Sequence, residues 1–248
     1  MKCADRKVVL ITGGAGGIGS AITEKFANHG YRVAIVGRNL EKGTALETRL
    51  LEKDLDVKFY QHDVTNALGL ERVLSDIEER WEPVSVLVDC AGAMVAKSIL
   101  EITREDFEMA AHVNLYGPLV MAQAVAPKMI ERGFGRIINI TSILDETVFK
   151  ERGIYGATKA GTKYLTKVMA MEWGNQGITT NVVAPGTINT PMSAHARNHP
   201  ETREKWLSMT ANGKFGEATD IAEAVFFLAS EEAKHINGAY LRVDGGCF

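Results

Sequence analysis

Short apolar runs rich in β-branched residues alternate with amphipathic segments of helical period along nearly the whole chain, and this rhythm leaves few folds open. Strands separated by helices pair in parallel, because each crossover helix returns the chain to the same edge of the sheet. Val8–Thr12 is the first apolar run and breaks at Gly13. Apolar residues then recur at helical spacing over 18–28 (Ile18, Ile22, Phe26), and Gly30 stops that helix. Residues 32–36 read as a second strand, followed by a charged helix with Leu46, Leu50 and Leu51 on one face. Val57–Gln61 is a third strand, and the next helix runs through Leu70, Val73, Leu74 and Ile77. Residues 84–88 form a nearly continuous apolar run, as strands buried on both faces do.

The second half keeps the alternation. The pattern predicts one long helix over 104–132, a strand at 136–140, a helix over 155–173 and a strand at 178–183. After Pro185-Gly186 the chain turns polar and is expected to stay irregular to about residue 216. A helix at Ala218–Ala229 and a strand at 239–243 close the unit. The expected fold is α/β: a Rossmann-like, doubly wound parallel sheet of about seven strands with helices on both faces. No repeat, low-complexity tract or linker divides it, so residues 1–248 are expected to form a single domain.

Ligands of such sheets sit beyond the carboxyl ends of the strands. That rule favours residues 13–19, Gly37-Arg38, Asp63, residues 89–92, Thr141-Ser142 and residues 185–190. The first of these segments, Thr12-Gly13-Gly14-Ala15-Gly16-Gly17-Ile18-Gly19, joins a strand to a helix. Glycines let the backbone turn with positive φ and approach a ligand closely, and the helix N-terminus offers free N–H groups to a pyrophosphate. Two readings of the spacing are open: Gly14, Gly16 and Gly19 fit G-x-G-x-x-G, whereas Gly13, Gly17 and Gly19 fit G-x-x-x-G-x-G. The plainer alternative is a tight turn with no ligand. Where an NAD site would place an acid, after the second strand, this chain reads Gly37-Arg38-Asn39. A guanidinium suits the 2′-phosphate of NADP. NADP is therefore favoured over NAD, against the alternative of a solvated loop arginine and with no second basic residue at Gly16.

Tyr155 and Lys159 lie one helical turn apart and share a face. Their helix follows a strand that ends in Thr141-Ser142, at the ligand edge. A carbonyl that receives hydride needs a proton, and a phenol is a poor donor or acceptor of protons at neutral pH unless a neighbouring ammonium favours its ionised form. A hydroxyl such as Ser142 can hold the substrate oxygen. Taken alone, Ser142 is as readily a helix-capping serine.

Assembled, these residues resemble the short-chain dehydrogenase/reductase family over nearly the whole chain. The matching positions are Thr12-Gly13-x-x-x-Gly17-Ile18-Gly19, Asp63-Val64, Ala91-Gly92, Asn114, Ser142, Tyr155-x-x-x-Lys159, Asn181, Pro185-Gly186-x-x-x-Thr190 and Asp244-Gly245-Gly246. The resemblance implies an NAD(P)-dependent oxidoreductase that interconverts a carbonyl and an alcohol. Tyr155 would be the acid/base and Ser142 the donor to the substrate oxygen. Lys159 would grip the nicotinamide ribose and lower the Tyr155 pKa, and Asn114, inside the long helix, would hold a water of a proton relay. Asp63 and Val64 would contact adenine, the backbone of Cys90, Ala91 and Gly92 the cofactor, and Ile188 and Thr190 the carboxamide region. A homotetramer or homodimer is also implied. The family usually has Asn-Asn-Ala-Gly where this chain reads Asp89-Cys90-Ala91-Gly92, so side-chain bonding between strands is expected to differ there. Gly133 and Gln176 stand where carrier-protein reductases of the family place arginines, which counts against a 3-oxoacyl carrier substrate.

Residues 189–215 are the expected substrate lid, with Met192, Trp206, Leu207 and Met209 facing Met94, Ile143, Leu144 and Phe149 across a mixed pocket. His195 and His199 on it read as exposed loop histidines. The 28 basic and 31 acidic residues give a net charge of −3, which fits neither a nucleic-acid nor an anionic-membrane partner. Three scattered cysteines, Cys3, Cys90 and Cys247, suit a reducing, cytoplasmic setting, and no apolar segment marks a signal peptide or a membrane span. No His and carboxylate cluster points to a catalytic metal. A non-catalytic nucleotide-binding scaffold or sensor is the alternative from another class.

Overall fold

A computed structural model describes residues 7–247, the side chains of residues 195 and 196 excepted, so Cys3 and the His195 side chain lie outside the described residues. Seven strands form one parallel sheet: β1 (Val8–Thr12), β2 (Arg32–Gly37), β3 (Val57–Gln61), β4 (Val86–Asp89), β5 (Gly135–Ile140), β6 (Ile178–Pro185) and β7 (Tyr240–Val243). Their order is β3-β2-β1-β4-β5-β6-β7, so the winding reverses between β1 and β4. The single α/β domain expected from the alternation is the one observed.

Alternate residues of each strand feed two cores. Val9 and Ile11 of β1, Val86 and Val88 of β4 and Ile138 of β5 face one side, under α1 (Gly17–Asn28), α2 (Leu40–Leu51) and α9 (Ala218–Ala229). Leu10, Leu87 and Ile137 face the other, under α3 (Ala67–Arg80), α5 (Gly117–Arg132) and α6 (Gly153–Trp173). Period-two alternation in strands that read as uniformly apolar is what a sheet covered on both faces requires.

Three expectations need correction. The fourth strand runs over Val86–Asp89 rather than 84–88, which places the Asp89 side chain inside the sheet. The helix expected over 104–132 is broken: α4 (Arg104–Ala111) and α5 are joined by a wide π-helical turn, His112–Tyr116. Pro118 at the start of α5 explains the break. It has no N–H to give the carbonyl four residues earlier, at Asn114, so that carbonyl is released from the helix. The Thr162 hydroxyl claims it, at 2.5 Å. Finally, residues 189–215 are not irregular throughout, since they contain α7 (Ala194–Asn198) and α8 (Pro200–Ser208), the latter begun by a proline at its first turn. Among the described residues no helix is long and apolar enough to cross a membrane.

Candidate active site

The turn after β1 discriminates between the two glycine readings. Gly13 has φ +64, a conformation that L side chains rarely adopt, and its N–H bonds the carbonyl of Val36 at 2.7 Å. A Cβ on Gly19 would lie 2.1 Å from the Gly13 carbonyl oxygen, and one on Gly17 2.9 Å from Thr190. Gly14 and Gly16 face no contact below 3.0 Å. Gly13, Gly17 and Gly19 are therefore the positions where only glycine fits, which selects G-x-x-x-G-x-G. Gly16 begins α1 with no side-chain cap, so the first amides of α1, at Gly17, Ile18 and Gly19, have no side-chain acceptor. Unsatisfied N–H groups and the positive end of the helix dipole are what a pyrophosphate needs. The residues fit a dinucleotide.

The other expected cofactor positions gather around this turn. Gly13 lies against Ala91, Gly17 against Thr190, and Gly92 against Asn114 and Lys159. Thr12 organises the junction, a role the sequence did not reveal. Its hydroxyl accepts from the backbone N–H groups of Cys90 and Ala91, each at 3.1 Å, and donates to Asp89 at 3.2 Å. Ile188 is buried, and Gly186 abuts Asp244, so that Pro185-Gly186 leads the chain past the end of β7. At the far side, Arg38 stands exposed with a guanidinium nitrogen 3.8 Å from the Asp63 carboxylate. Asp63 itself accepts from the Thr65 backbone and hydroxyl, and Val64 packs beside Gly117. Asn39 caps α2, its side chain accepting from the Lys42 N–H at 2.8 Å.

Tyr155, Lys159, Ser142 and Asn114 converge beyond the ends of β4 and β5, all buried. Ser142 hydrogen-bonds the Tyr155 phenol and also accepts from the Leu144 N–H, so it is both the expected partner and a cap. Lys159 Nζ donates to the Ile140 carbonyl at 2.8 Å and lies 6.0 Å from the centre of the Tyr155 ring. Burial pulls this ammonium down to about 8, and Cys90, Asp89 and Asp145 act in the opposite direction to the extent that they ionise. The expectation that Lys159 depresses the phenol is not met in this geometry. Burial pushes Tyr155 up to about 12 against the Ser142 hydrogen bond, with Cys90 and Asp145 adding to the rise. Desolvation dominates at the phenol, while the Lys159 ammonium is engaged by the Ile140 carbonyl. Asn114 uses its amide to hold Ala93 at both N–H and carbonyl, 2.8 Å each, and to reach Thr158 at 3.1 Å.

Asp145 was not singled out in the sequence. Its buried carboxylate accepts from Tyr240 at 2.6 Å and pairs with Lys163 at 3.2 Å, tying the segment after Ser142 to β7 and α6. Its spacing, three residues after Ser142, carried no signal. On the expected lid, Trp206 of α8 stacks on Phe149 with ring centroids 4.6 Å apart, and Ile143, next to Ser142, is buried. His199 is exposed at the start of α8.

A glycine turn at the point of strand reversal, facing a buried phenol, hydroxyl and ammonium, defines an oxidoreductase of the dinucleotide-binding α/β class. A family model described as enoyl-(acyl carrier protein) reductase matches residues 13–247. The 7alpha-hydroxysteroid dehydrogenase of Bacteroides fragilis is 34% identical over 98% of this chain and 94% of its own. The D-threitol dehydrogenase of Mycolicibacterium smegmatis is 33% identical over 98% and 93%. A gluconate 5-dehydrogenase from Burkholderia cenocepacia, solved in complex with NADP and tartrate, superposes with a TM-score of 0.91 at 32% identity, covering 96% of this chain and 94% of that one. The chain belongs to the short-chain dehydrogenase/reductase family.

Proposed function

We propose that this protein transfers hydride between NADP(H), preferred over NAD(H), and a carbonyl or secondary alcohol, with Tyr155 as the acid/base. The observation that carries the proposal is the convergence of Ser142, Tyr155 and Lys159 on the segment held by Thr12, Gly13 and Asn114. The dinucleotide supplies or accepts the hydride when bound; the chain's own residues handle the proton. The neutral phenol donates to the oxygen of a carbonyl being reduced, and Ser142 holds that oxygen by hydrogen bonding. Lys159 anchors the nicotinamide ribose, and the Asn114 amide fixes the loop after Gly92 against α6. Residues 13–19, 90–92, 185–186, 188 and 190 cradle the dinucleotide, with Asp63 and Val64 at adenine. Residues 189–215 are the substrate lid, with the Phe149–Trp206 stack forming one wall.

The substrate proposed is a small or medium hydroxylated compound, a polyol, sugar acid or cyclic ketone. Relatives named for a tetritol, a gluconate and a hydroxysteroid support that range. A carrier-protein substrate is disfavoured because Gly133, which closes α5, and Gln176 stand where carrier-protein reductases of the family place arginines. Oxidation of NADPH across such a panel tests the function, and tight NADPH binding with no turnover on any member would instead favour a scaffold or sensor. We also assign a homotetramer or homodimer in a cytoplasmic setting. Tyr116, Tyr164 and Met171 leave apolar surface exposed near α5 and α6, and sedimentation would show the assembly.

Cofactor preference rests on Arg38. Charge-assisted bonding to a phosphate is worth about 1.5–3 kcal/mol, so Arg38→Asp should weaken NADPH roughly 10–100-fold and NADH far less. Fluorescence titration of both dinucleotides measures this. Equal losses would show that Arg38 does not read the phosphate.

A further inference from the structure

Asp89 and Asn139 are register partners on β4 and β5, and Thr12 is the partner of Asp89 on β1. All three side chains are buried and project to the side of the sheet that α6 covers. Adjacent strands lie about 4.8 Å apart, so neighbouring side chains of one face meet. Thr12 donates to one carboxyl oxygen of Asp89. Among the described residues, neither the other Asp89 oxygen nor the Asn139 amide oxygen has a hydrogen-bond partner. The orientation of Asn139 is set from below. The Thr166 hydroxyl gives its proton to the Thr162 carbonyl at 2.7 Å, so it accepts from the Asn139 NH2, at 2.8 Å, and the amide oxygen is left facing the sheet. Two buried acceptors side by side, both without a donor, are costly as they stand. One proton resolves both.

We infer that Asp89 keeps a proton on its free oxygen and donates it to the Asn139 amide, closing a polar row from Thr12 through Asp89, Asn139 and Thr166 to α6. Asp89 is then a positioning residue. The Thr12 hydroxyl that it receives from is the one that holds the N–H groups of Cys90 and Ala91. Loss of the proton places a carboxylate against the Asn139 carbonyl and loosens this segment. Burial pushes the carboxyl up to about 8, with the Thr12 hydrogen bond and the Lys159 charge resisting. Lys159 from α6 and the adjoining Cys90 thiol, itself pushed up to about 12 by burial, are the titratable groups that its charge acts on. β1 and β5 present only Thr12 and Asn139.

The sign of the pH dependence follows. Unfolded, Asp89 titrates near 3.9; folded, near 8. Between these values the folded state binds the extra proton, so this residue's contribution to stability is lost as pH rises from about 4 through 8. Lys159 acts in a different window. Its folded value of about 8 lies below the usual value near 10.4, so its penalty is relieved as pH rises between them.

Asp89→Asn supplies a permanent N–H donor to Asn139. Its melting temperature relative to the parent is expected to climb by on the order of 5 °C between pH 5 and pH 8.5. Infrared spectra of the parent should show a protonated-carboxyl band at pH 6 that is absent at pH 9.5 and in the variant. A difference in melting temperature that is constant with pH, or a parent spectrum without that band, would overturn the inference; the parent spectrum decides it even if the variant does not fold. The consequence for the cofactor rests on the reading of 90–92 as part of the cradle. NADPH affinity should fall several-fold in the parent between pH 7 and 9.5, and less in Asp89→Asn. If the band is present but affinity responds alike in both proteins, the proton stands and its reach to the cradle falls.

Discussion

Tyr155→Phe is expected to bind NADPH with an affinity within about twofold of the parent and to turn over roughly 10²–10⁴-fold more slowly. The change removes one oxygen from a buried ring and leaves the packing of α6 untouched, so the melting temperature should stay close to the parent's. In free energy the loss is about 3–5 kcal/mol of transition-state stabilisation, at 1.36 kcal/mol per decade. The phenol is buried and pushed up to about 12, so at neutral pH it holds the proton that the proposed donor role requires. Ser142 could bring a water to the substrate oxygen in its place, which sets the lower end of the range. Steady-state kinetics with dinucleotide titration check both halves. Turnover within tenfold of the parent would remove Tyr155 from the mechanism.

The second large effect is steric. Gly19→Ala places a methyl 2.1 Å from the Gly13 carbonyl oxygen, which is backbone on both sides of a tight turn and cannot rotate away. Gly13 is held by its bond to Val36 and by contact with Ala91, so the first turn of α1 must move instead. Overpacking of this kind costs about 1–3 kcal/mol or more, or roughly 2–10 °C in melting temperature for a chain of this size. Displacing the amides of α1 should also weaken NADPH by more than about tenfold. Gly16→Ala meets the same oxygen at 3.1 Å and should be much milder. Thermal melts and NADPH titration of the pair supply the check: the reverse order would contradict the assignment of Gly13, Gly17 and Gly19 as the obligatory glycines.

Much of the site was legible before any coordinates. Tyr155 and Lys159 share a helix face by spacing alone, and residues just past strand ends occupy the ligand edge by the geometry of parallel sheets. The π turn at His112–Tyr116 was missed although its cause, Pro118, stands in the sequence; the apolar periodicity runs through the break and hides it. The lid helices were missed because α8 is polar nearly all round, with no residue fully buried, so it carries no amphipathic stripe. Arg38 was visible as a cation. Its pairing with Asp63, one strand away, was not.

The order of elements, the two-sided sheet and the choice of candidate site residues were set by local pattern: period two against 3.6, glycine where a turn must tighten, proline where an N–H must be missing. Those properties depend on neighbours in the chain. Electrostatic state does not. Whether Tyr155 is depressed by Lys159 or raised by burial, and whether Asp89 is an anion or holds a proton beside Asn139, depends on how much water is excluded and which partner lies across the sheet. Both are decided by residues tens of positions apart in sequence, and only the packed sheet brings them together.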